Sequence, residues 1–270
     1  MATTIDIFNF KGGVGKTTTN VMFAYLLTEI KKKKTLLIDF DPQSNATEIM
    51  HETYPDFDPN LKVPILKGME NLDLTKSIVK VNDYLDMIPA TWQLSLLPDF
   101  LRRYGVDQQH FLLSELLKRI QNYYDYILID TPPTLSEYTN NAILASDYII
   151  IVMQTQQQCF SSSEKSVAYL QQLKRDYSRV TEKEYHRQFS FLGVVPYLVK
   201  KHGKVDKDTL RKARKTFGAA MFKNKIAQRE RVKLFGEDGI TDRKHWDGWD
   251  RDAIKMYKRI LDETIQRMKE

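Results

Sequence analysis

The sequence predicts an α/β fold, a doubly wound and mainly parallel sheet with helices on both faces. Three observations carry that expectation. Residues 5–10 form a short apolar run that leads into a glycine-rich turn and then a stretch of helical period. Residues 126–129 and 148–152 are continuous apolar runs, the pattern of strands covered on both faces rather than one. Segments of helical period separate several of these runs, as in βαβ units.

In chain order, residues 5–10 are the first strand, and residues 16–30 a helix of roughly four turns. The run Lys31, Lys32, Lys33, Lys34 sits where that helix ends, favourably placed against its dipole, and reads as a solvated helix end. Residues 35–40 are a second buried strand and 83–88 a third, weaker one. Residues 51–68, with Pro55, Pro59 and Pro64, read as a surface excursion. Residues 111–120 and 161–173 are helical, and 189–195 is a last buried strand. No linker, repeat or low-complexity tract divides the chain. It therefore reads as one domain over 1–270, with a basic part near 200–233 and a final helix near 251–268.

Composition narrows the class. A hydrophobic share of 42% suffices for a core, and 28% charged residues do not describe a disordered chain. One cysteine, Cys159, excludes an internal disulfide and any cysteine-built cluster within one subunit. No apolar run approaches a membrane span, and the first ten residues are too short and polar for a signal peptide, so a cytoplasmic protein is expected. The histidines show no metal-ligand spacing.

Chemistry enters at Lys11-Gly12-Gly13-Val14-Gly15-Lys16-Thr17-Thr18. A phosphate needs converging N–H donors, no side chains in the way, and positive charge. Glycines after a strand let the backbone fold around the anion, and the following helix aims its N-terminal dipole at it. Lys16 supplies charge for the β- and γ-phosphates, and the Thr17 hydroxyl is placed for Mg²⁺. Phe10 stands where the common phosphate loop has glycine, so the match is to the deviant form with an extra lysine, Lys11. Six specified positions would agree by accident at about one start in 10⁷. ATP and Mg²⁺ are the expected cofactors. Mg²⁺ and an attacking water also need carboxylates at neighbouring strand ends. Two such places exist: Leu36-Leu37-Ile38-Asp39-Phe40-Asp41-Pro42-Gln43, and Tyr126-Ile127-Leu128-Ile129-Asp130-Thr131-Pro132-Pro133.

Taken together, these three motifs resemble the ParA/Soj-type partition ATPases, within the wider group that includes MinD and nitrogenase iron protein. The resemblance implies that Lys11 reaches across an ATP-sandwich homodimer to the partner's phosphates. It implies that Asp41 positions the hydrolytic water, with Lys16 and Lys11 completing the catalytic set, and that Thr17, Asp39 and Asp130 serve Mg²⁺ and its water shell. Gly12, Gly13, Val14, Gly15 and Thr18 complete the nucleotide loop. The stretch Ile226-Ala227-Gln228-Arg229-Glu230-Arg231-Val232 loosely resembles one that helps hold adenine, which makes Gln228 the adenine candidate. Ser44 stands where the family usually has glycine, a departure expected to be tolerated.

Within the group, an iron protein is excluded for want of cluster cysteines. A MinD-like membrane-surface regulator would end in a basic amphipathic helix. Here the last helix mixes Asp252, Asp262 and Glu263 with Lys255, Lys258 and Arg259 around an apolar face, and is expected to pack on the domain. Trp246, Trp249 and Tyr257 are likewise expected to pack rather than stack on bases. From Lys200 to Lys233 the chain holds thirteen lysines and arginines against three acids, a surplus of ten that exceeds its net +6. A charge run is often only a solvated face. The family binds DNA non-specifically through C-terminal basic residues, and this raises the DNA reading. The implied contacts are Lys200, Lys201, Lys204, Arg211, Lys212, Arg214, Lys215, Arg231 and Lys233. No helix-turn-helix module precedes the loop, so the short, nucleoid-associated form is expected, with a centromere-binding ParB-type partner and no membrane. A ParA-like positioning ATPase for a non-DNA cargo remains the alternative beside the MinD-like one.

Overall fold

The chain was analysed as a computed structural model that describes residues 1–60, 63–104, 109–181, 188–200, 203–240 and 249–270. The strands are β1 (Thr3–Phe8), β2 (Thr35–Asp39), β3 (Val79–Lys80), β4 (Leu85–Ile88), β5 (Tyr126–Asp130), β6 (Tyr148–Gln154) and β7 (Ser190–Tyr197). They form one sheet in the order β3-β4-β2-β5-β1-β6-β7. Every pairing is parallel except that of the short edge strand β3 with β4. The expected fold class holds. β3 went unread because two residues carry no periodicity.

The helices are α1 (Lys16–Tyr25), α2 (Asn45–Thr53), α3 (Ile65–Glu70), α4 (Leu97–Tyr104), α5 (Leu112–Leu117), α6 (Glu137–Ala145), α7 (Gln157–Thr181), α8 (Lys204–Phe217), α9 (Glu230–Asp238) and α10 (Trp249–Arg267). A π-helical turn, Leu26–Ile30, continues α1 to the expected length.

Alternation within the apolar runs explains the two covered faces. Ile5, Ile7, Leu37, Leu128, Ile150 and Val152 point to one core, shared with α1, α2, α9 and α10. Leu36, Ile38, Ile127 and Ile129 point to the other side, against α3 to α6. Phe8, Ile149 and Ile151 extend that side beneath α7 and α8. Residues 51–68 are less peripheral than expected, because Phe57 is buried in the first core and Ile65 and Leu66 of α3 in the second. The final helix packs as its sequence implied: Tyr257, Ile260 and Leu261 are fully buried. Trp246 lies outside the described residues, as does Lys201. No helix of the described residues is long and apolar enough to cross a membrane.

Register then sets the site. Asp39 on β2 lies opposite Asp130 on β5, and Asp6 on β1 opposite Ile129. All three carboxylates thus meet near the C-terminal edge of the central strands, where β1 opens into the glycine loop.

Candidate functional site

The loop after β1 turns sharply because Gly13 and Gly15 both adopt positive φ, 70° and 95°. At Gly15 a second constraint applies, since a Cβ there would lie 2.2 Å from Cζ of Tyr197. That ring, at the end of β7, packs directly on the loop and is held by hydrogen bonds with Tyr257 (3.1 Å) and Thr18. From the other side, Gln154 Nε2 donates to the Gly13 carbonyl at 2.6 Å. Thr19 Oγ1 donates to the Gly15 carbonyl at 2.6 Å, tying the loop to the first turn of α1.

Lys16 is only 6% exposed. Burial pulls its ammonium below the ordinary lysine range, opposed by the nearby carboxylates Asp130, Asp6 and Asp41. Asp130 is completely buried, and burial raises its carboxyl to about 6 against the hydrogen bonds from Asn20 and Thr17 and the charge of Lys16. Asn20 Nδ2 donates to Asp130 Oδ1 at 2.9 Å, while Oδ2 is buried without a partner. Thr17 and Asp130 therefore stand together beside Lys16, with one carboxylate oxygen left over. That donor set fits a hard cation held jointly with phosphate oxygens. Among the described residues no group of three or more His, Cys, Asp or Glu is arranged to hold a metal by itself.

Asp39 is engaged differently. Its Oδ2 accepts from Thr47 N (2.8 Å) and Thr47 Oγ1 (2.7 Å), and its Oδ1 from Asp41 N at 3.2 Å. Burial raises this carboxyl to about 8 despite those bonds. Asp39 thus braces the turn that carries Asp41. Asp41 is itself tied back by Gln43 N, which donates to its Oδ1 at 3.0 Å. Ser44, the next residue but two, has φ of 58° and caps α2 without a side-chain bond. This left-handed backbone explains why glycine suits that position.

Lys11 turns away from its own loop. Its Nζ donates to Gln158 Oε1 on α7 at 3.2 Å. Gln228 does not join the cavity beside the loop. Its amide donates to the Val199 carbonyl at 3.1 Å, and its side chain lines a separate hollow with Arg229 and Asp252. The loop's own cavity, about 360 Å³, is walled by Tyr197 at the end of β7 and Leu198 just after it, Val232 and Gly236 of α9, and Asn45 of α2. Of these walls only Val232 lies in the stretch singled out from the sequence; the others were missed because they come from distant segments with no shared motif. The one available signal was the aromatic end of the last strand.

Asp6 was also missed. It sits on β1 facing the α6 side, fully buried, and neither oxygen has a hydrogen-bond partner. Burial, then Asp130, raise its carboxyl well above the usual range. A single acid inside an apolar strand gives no sequence signal of its depth.

The basic candidates divide. Lys200, Lys204, Arg211, Lys212, Arg214 and Lys215 are exposed, the last five on α8. Arg211 pairs with Asp208 at 3.3 Å, and Lys212 Nζ donates to Gln157 at 3.4 Å. Lys233 lines the loop cavity and pairs with Glu230 at 3.3 Å. Arg231 overturns its expectation. It is 3% exposed and bonded to buried Asp250, to Asp238 at 3.0 Å and to the Gly239 carbonyl at 3.1 Å. A guanidinium spent on an internal acid is a structural clamp and does not face a phosphate at the surface.

A family model described as an AAA domain matches residues 2–182. Soj, the sporulation initiation inhibitor protein of Bacillus subtilis, is 38% identical over 159 residues, 57% of this chain and 59% of that protein. The virulence plasmid ParA family protein of Chlamydia psittaci is 33% identical over 175 residues, 63% of this chain and 61% of that protein. A Borrelia burgdorferi B31 protein assigned to plasmid partition, solved with AMPPNP, superposes with a TM-score of 0.78 at 28% identity. That superposition covers 99% of this chain and 100% of the other.

The chain is a member of the ParA/Soj family.

This family member spans about three fifths of the length of the curated relatives it matches. The family model's match contains the loop and both strand-end motifs and stops before the basic stretch.

Proposed function

We propose that this ParA/Soj-family chain is an ATP- and Mg²⁺-dependent DNA-partition ATPase. It forms an ATP-sandwich dimer, holds DNA through its basic C-terminal part without regard to sequence, and lets go when a ParB-type centromere-binding protein stimulates slow hydrolysis. The observation that carries the reading is the buried Lys16 among Asp130 and Asp41 at the mouth of a deviant phosphate loop, with Lys11 turned outward. The buried apolar face of α10 favours it over the membrane-surface alternative, which needs that face for lipid.

Lys16 and the loop N–H groups hold phosphate oxygens. Thr17 and Asp130 are the residues that would hold Mg²⁺, with Asp39 bracing the adjoining turn. Bound Mg²⁺ supplies positive charge to the phosphate oxygens as charge develops on them. Asp41 accepts a hydrogen bond from the attacking water and orients it toward the γ-phosphorus. Lys11, swung off Gln158, reaches the nucleotide of the facing subunit, so one chain alone lacks a complete site.

Asp41→Ala should bind ATP as the wild type does while turnover falls about 10²- to 10⁴-fold, and Lys16→Ala should lose ATP binding. Equilibrium nucleotide binding and phosphate release measure both. An Asp41→Ala protein that hydrolyses at the wild-type rate refutes the water-positioning role. DNA affinity that ignores whether ATP or ADP is present refutes the partition reading.

A further inference from the structure

The glycine loop is mounted in two halves, and the first half lies on α7. Asn9, just past the end of β1, is fully buried. Its Oδ1 accepts from Lys11 N (3.0 Å) and Ser162 Oγ (2.8 Å), and its Nδ2 donates to the Val152 carbonyl (2.7 Å) and Ser163 Oγ (3.2 Å). Two bonds accepted and two donated use the whole capacity of a carboxamide. Phe10 N donates to Ser166 Oγ at 3.4 Å, and the Phe10 ring meets Tyr169 edge-on at 5.2 Å. Ser162, Ser163, Ser166 and Tyr169 lie within about two turns of α7. That packing gives a reason for Phe10 where the common phosphate loop has glycine. The second half, from Gly13 to Gly15, is held from elsewhere, by the bonds from Gln154 and Thr19 and by the Tyr197 ring.

Lys11 is therefore fixed at its backbone and loose at its tip. Its N–H is bonded to a buried side chain, while its ammonium donates to Gln158 Oε1 at 3.2 Å, where the glutamine is exposed. Gln158 is the second residue of α7, so the ammonium lies against the positive end of that helix dipole. A neutral acceptor beside a like partial charge holds a cation weakly, and water competes for both partners.

We propose that Asn9 and Gln158 are positioning residues for Lys11. Asn9 fixes the point from which the side chain swings. Gln158 holds the ammonium in a resting place that it must leave to reach a facing subunit. The inference rests on the role of Lys11 across the dimer proposed above and adds what governs its release. A neutral acceptor at 158 makes release easy, a carboxylate there would hinder it, and a methyl group would abolish the resting place.

The test measures ATP-dependent dimerisation of full-length Gln158→Glu, Gln158→Ala, Asn9→Ala, Lys11→Ala and the wild type by light scattering over a range of protein concentrations. ATP affinity at low protein concentration and melting temperature report that each chain is intact. An exposed ion pair gains about two- to fivefold, and a dimer frees two lysines, so Gln158→Glu should raise the dimer dissociation constant by about four- to 25-fold. High salt should shrink that effect. Gln158→Ala should lower the constant by about twofold or more. A glutamine that only packed, or only touched the facing subunit, would shift both variants in the same direction, so opposite signs are the signature. Asn9→Ala should weaken dimerisation at least about tenfold, because a base misplaced by about 1 Å misaims the tip. That substitution also strips buried bonds, so the exposed Gln158 pair decides if Asn9→Ala melts below the assay temperature. Gln158 variants that shift the same way, or not at all, while Lys11→Ala stays monomeric overturn the inference and leave the role across the dimer standing. A folded Asn9→Ala protein that dimerises like the wild type overturns the part assigned to Asn9. A Lys11→Ala protein that dimerises normally with ATP overturns both the inference and the role across the dimer.

Discussion

Replacing Arg231 by methionine separates a structural clamp from a DNA contact. The substitution keeps the bulk of the side chain but removes the guanidinium that bonds buried Asp250 and lies 5.0 Å from the Phe235 ring. The Asp238 pair adds little, since that carboxylate is 45% exposed. Asp250 is 2% exposed, and stripping a buried acid of its cation costs about 3–5 kcal/mol. In a chain of this size each kcal/mol lowers the melting temperature by about 2–4 °C, so a fall of roughly 10 °C is expected. Arg231→Met/Asp250→Leu should recover part of it, because the buried acid is removed together with its guanidinium. Circular dichroism melts at pH 7.5 measure all three proteins. DNA titrations well below the melting point should give Arg231→Met the wild-type salt slope. A melting temperature within about 2 °C of wild type, with a slope flattened by about 0.9, would refute the clamp and restore the phosphate contact.

Three further outcomes follow from single residues. Asp6 is raised in the folded chain, so the stability it costs is absent below the ordinary carboxylate range and grows as pH climbs through and above it. Asp6→Val should therefore melt higher than wild type at pH 8, by about 3 °C or more, with the gap narrowing toward pH 4; a gap that does not depend on pH would contradict the buried-acid account. Ser44→Gly relieves a left-handed N-cap whose side chain makes no capping bond and should stabilise by about 0.5 kcal/mol, whereas Ser44→Val should destabilise by about 1 kcal/mol. Denaturant midpoints of both would decide it, and a less stable glycine variant would remove the strain argument. Lys11→Ala should bind ATP yet stay monomeric by light scattering; normal ATP-dependent dimerisation would exclude a role across the dimer.

The fold class and the glycine loop between β1 and α1 were legible in the residues alone, and the reason is locality. Residues 5–18 contain the strand, the glycines and Lys16 in one continuous piece, so their geometry is set by the backbone that joins them. Asp39 and Asp130 were found because each ends a continuous apolar run, and parallel pairing brings such ends together in register. Tertiary structure alone decided where long side chains point and which distant charge meets them. Counting residues 200–233 gave thirteen cations, and nine of them were taken as contacts with no measure of their depth. The fold turned Arg231 inward to an acid nineteen positions away, set Lys233 in the cavity wall, and brought Lys255 and Arg259 beside the 221–229 loop. The walls of the cavity beside the loop, from the end of β7, α9 and α2, and the depth of Asp6 are of the same kind. Burial and charge pairing depend on contacts between elements far apart in the chain, and periodicity within one element carries no information about them.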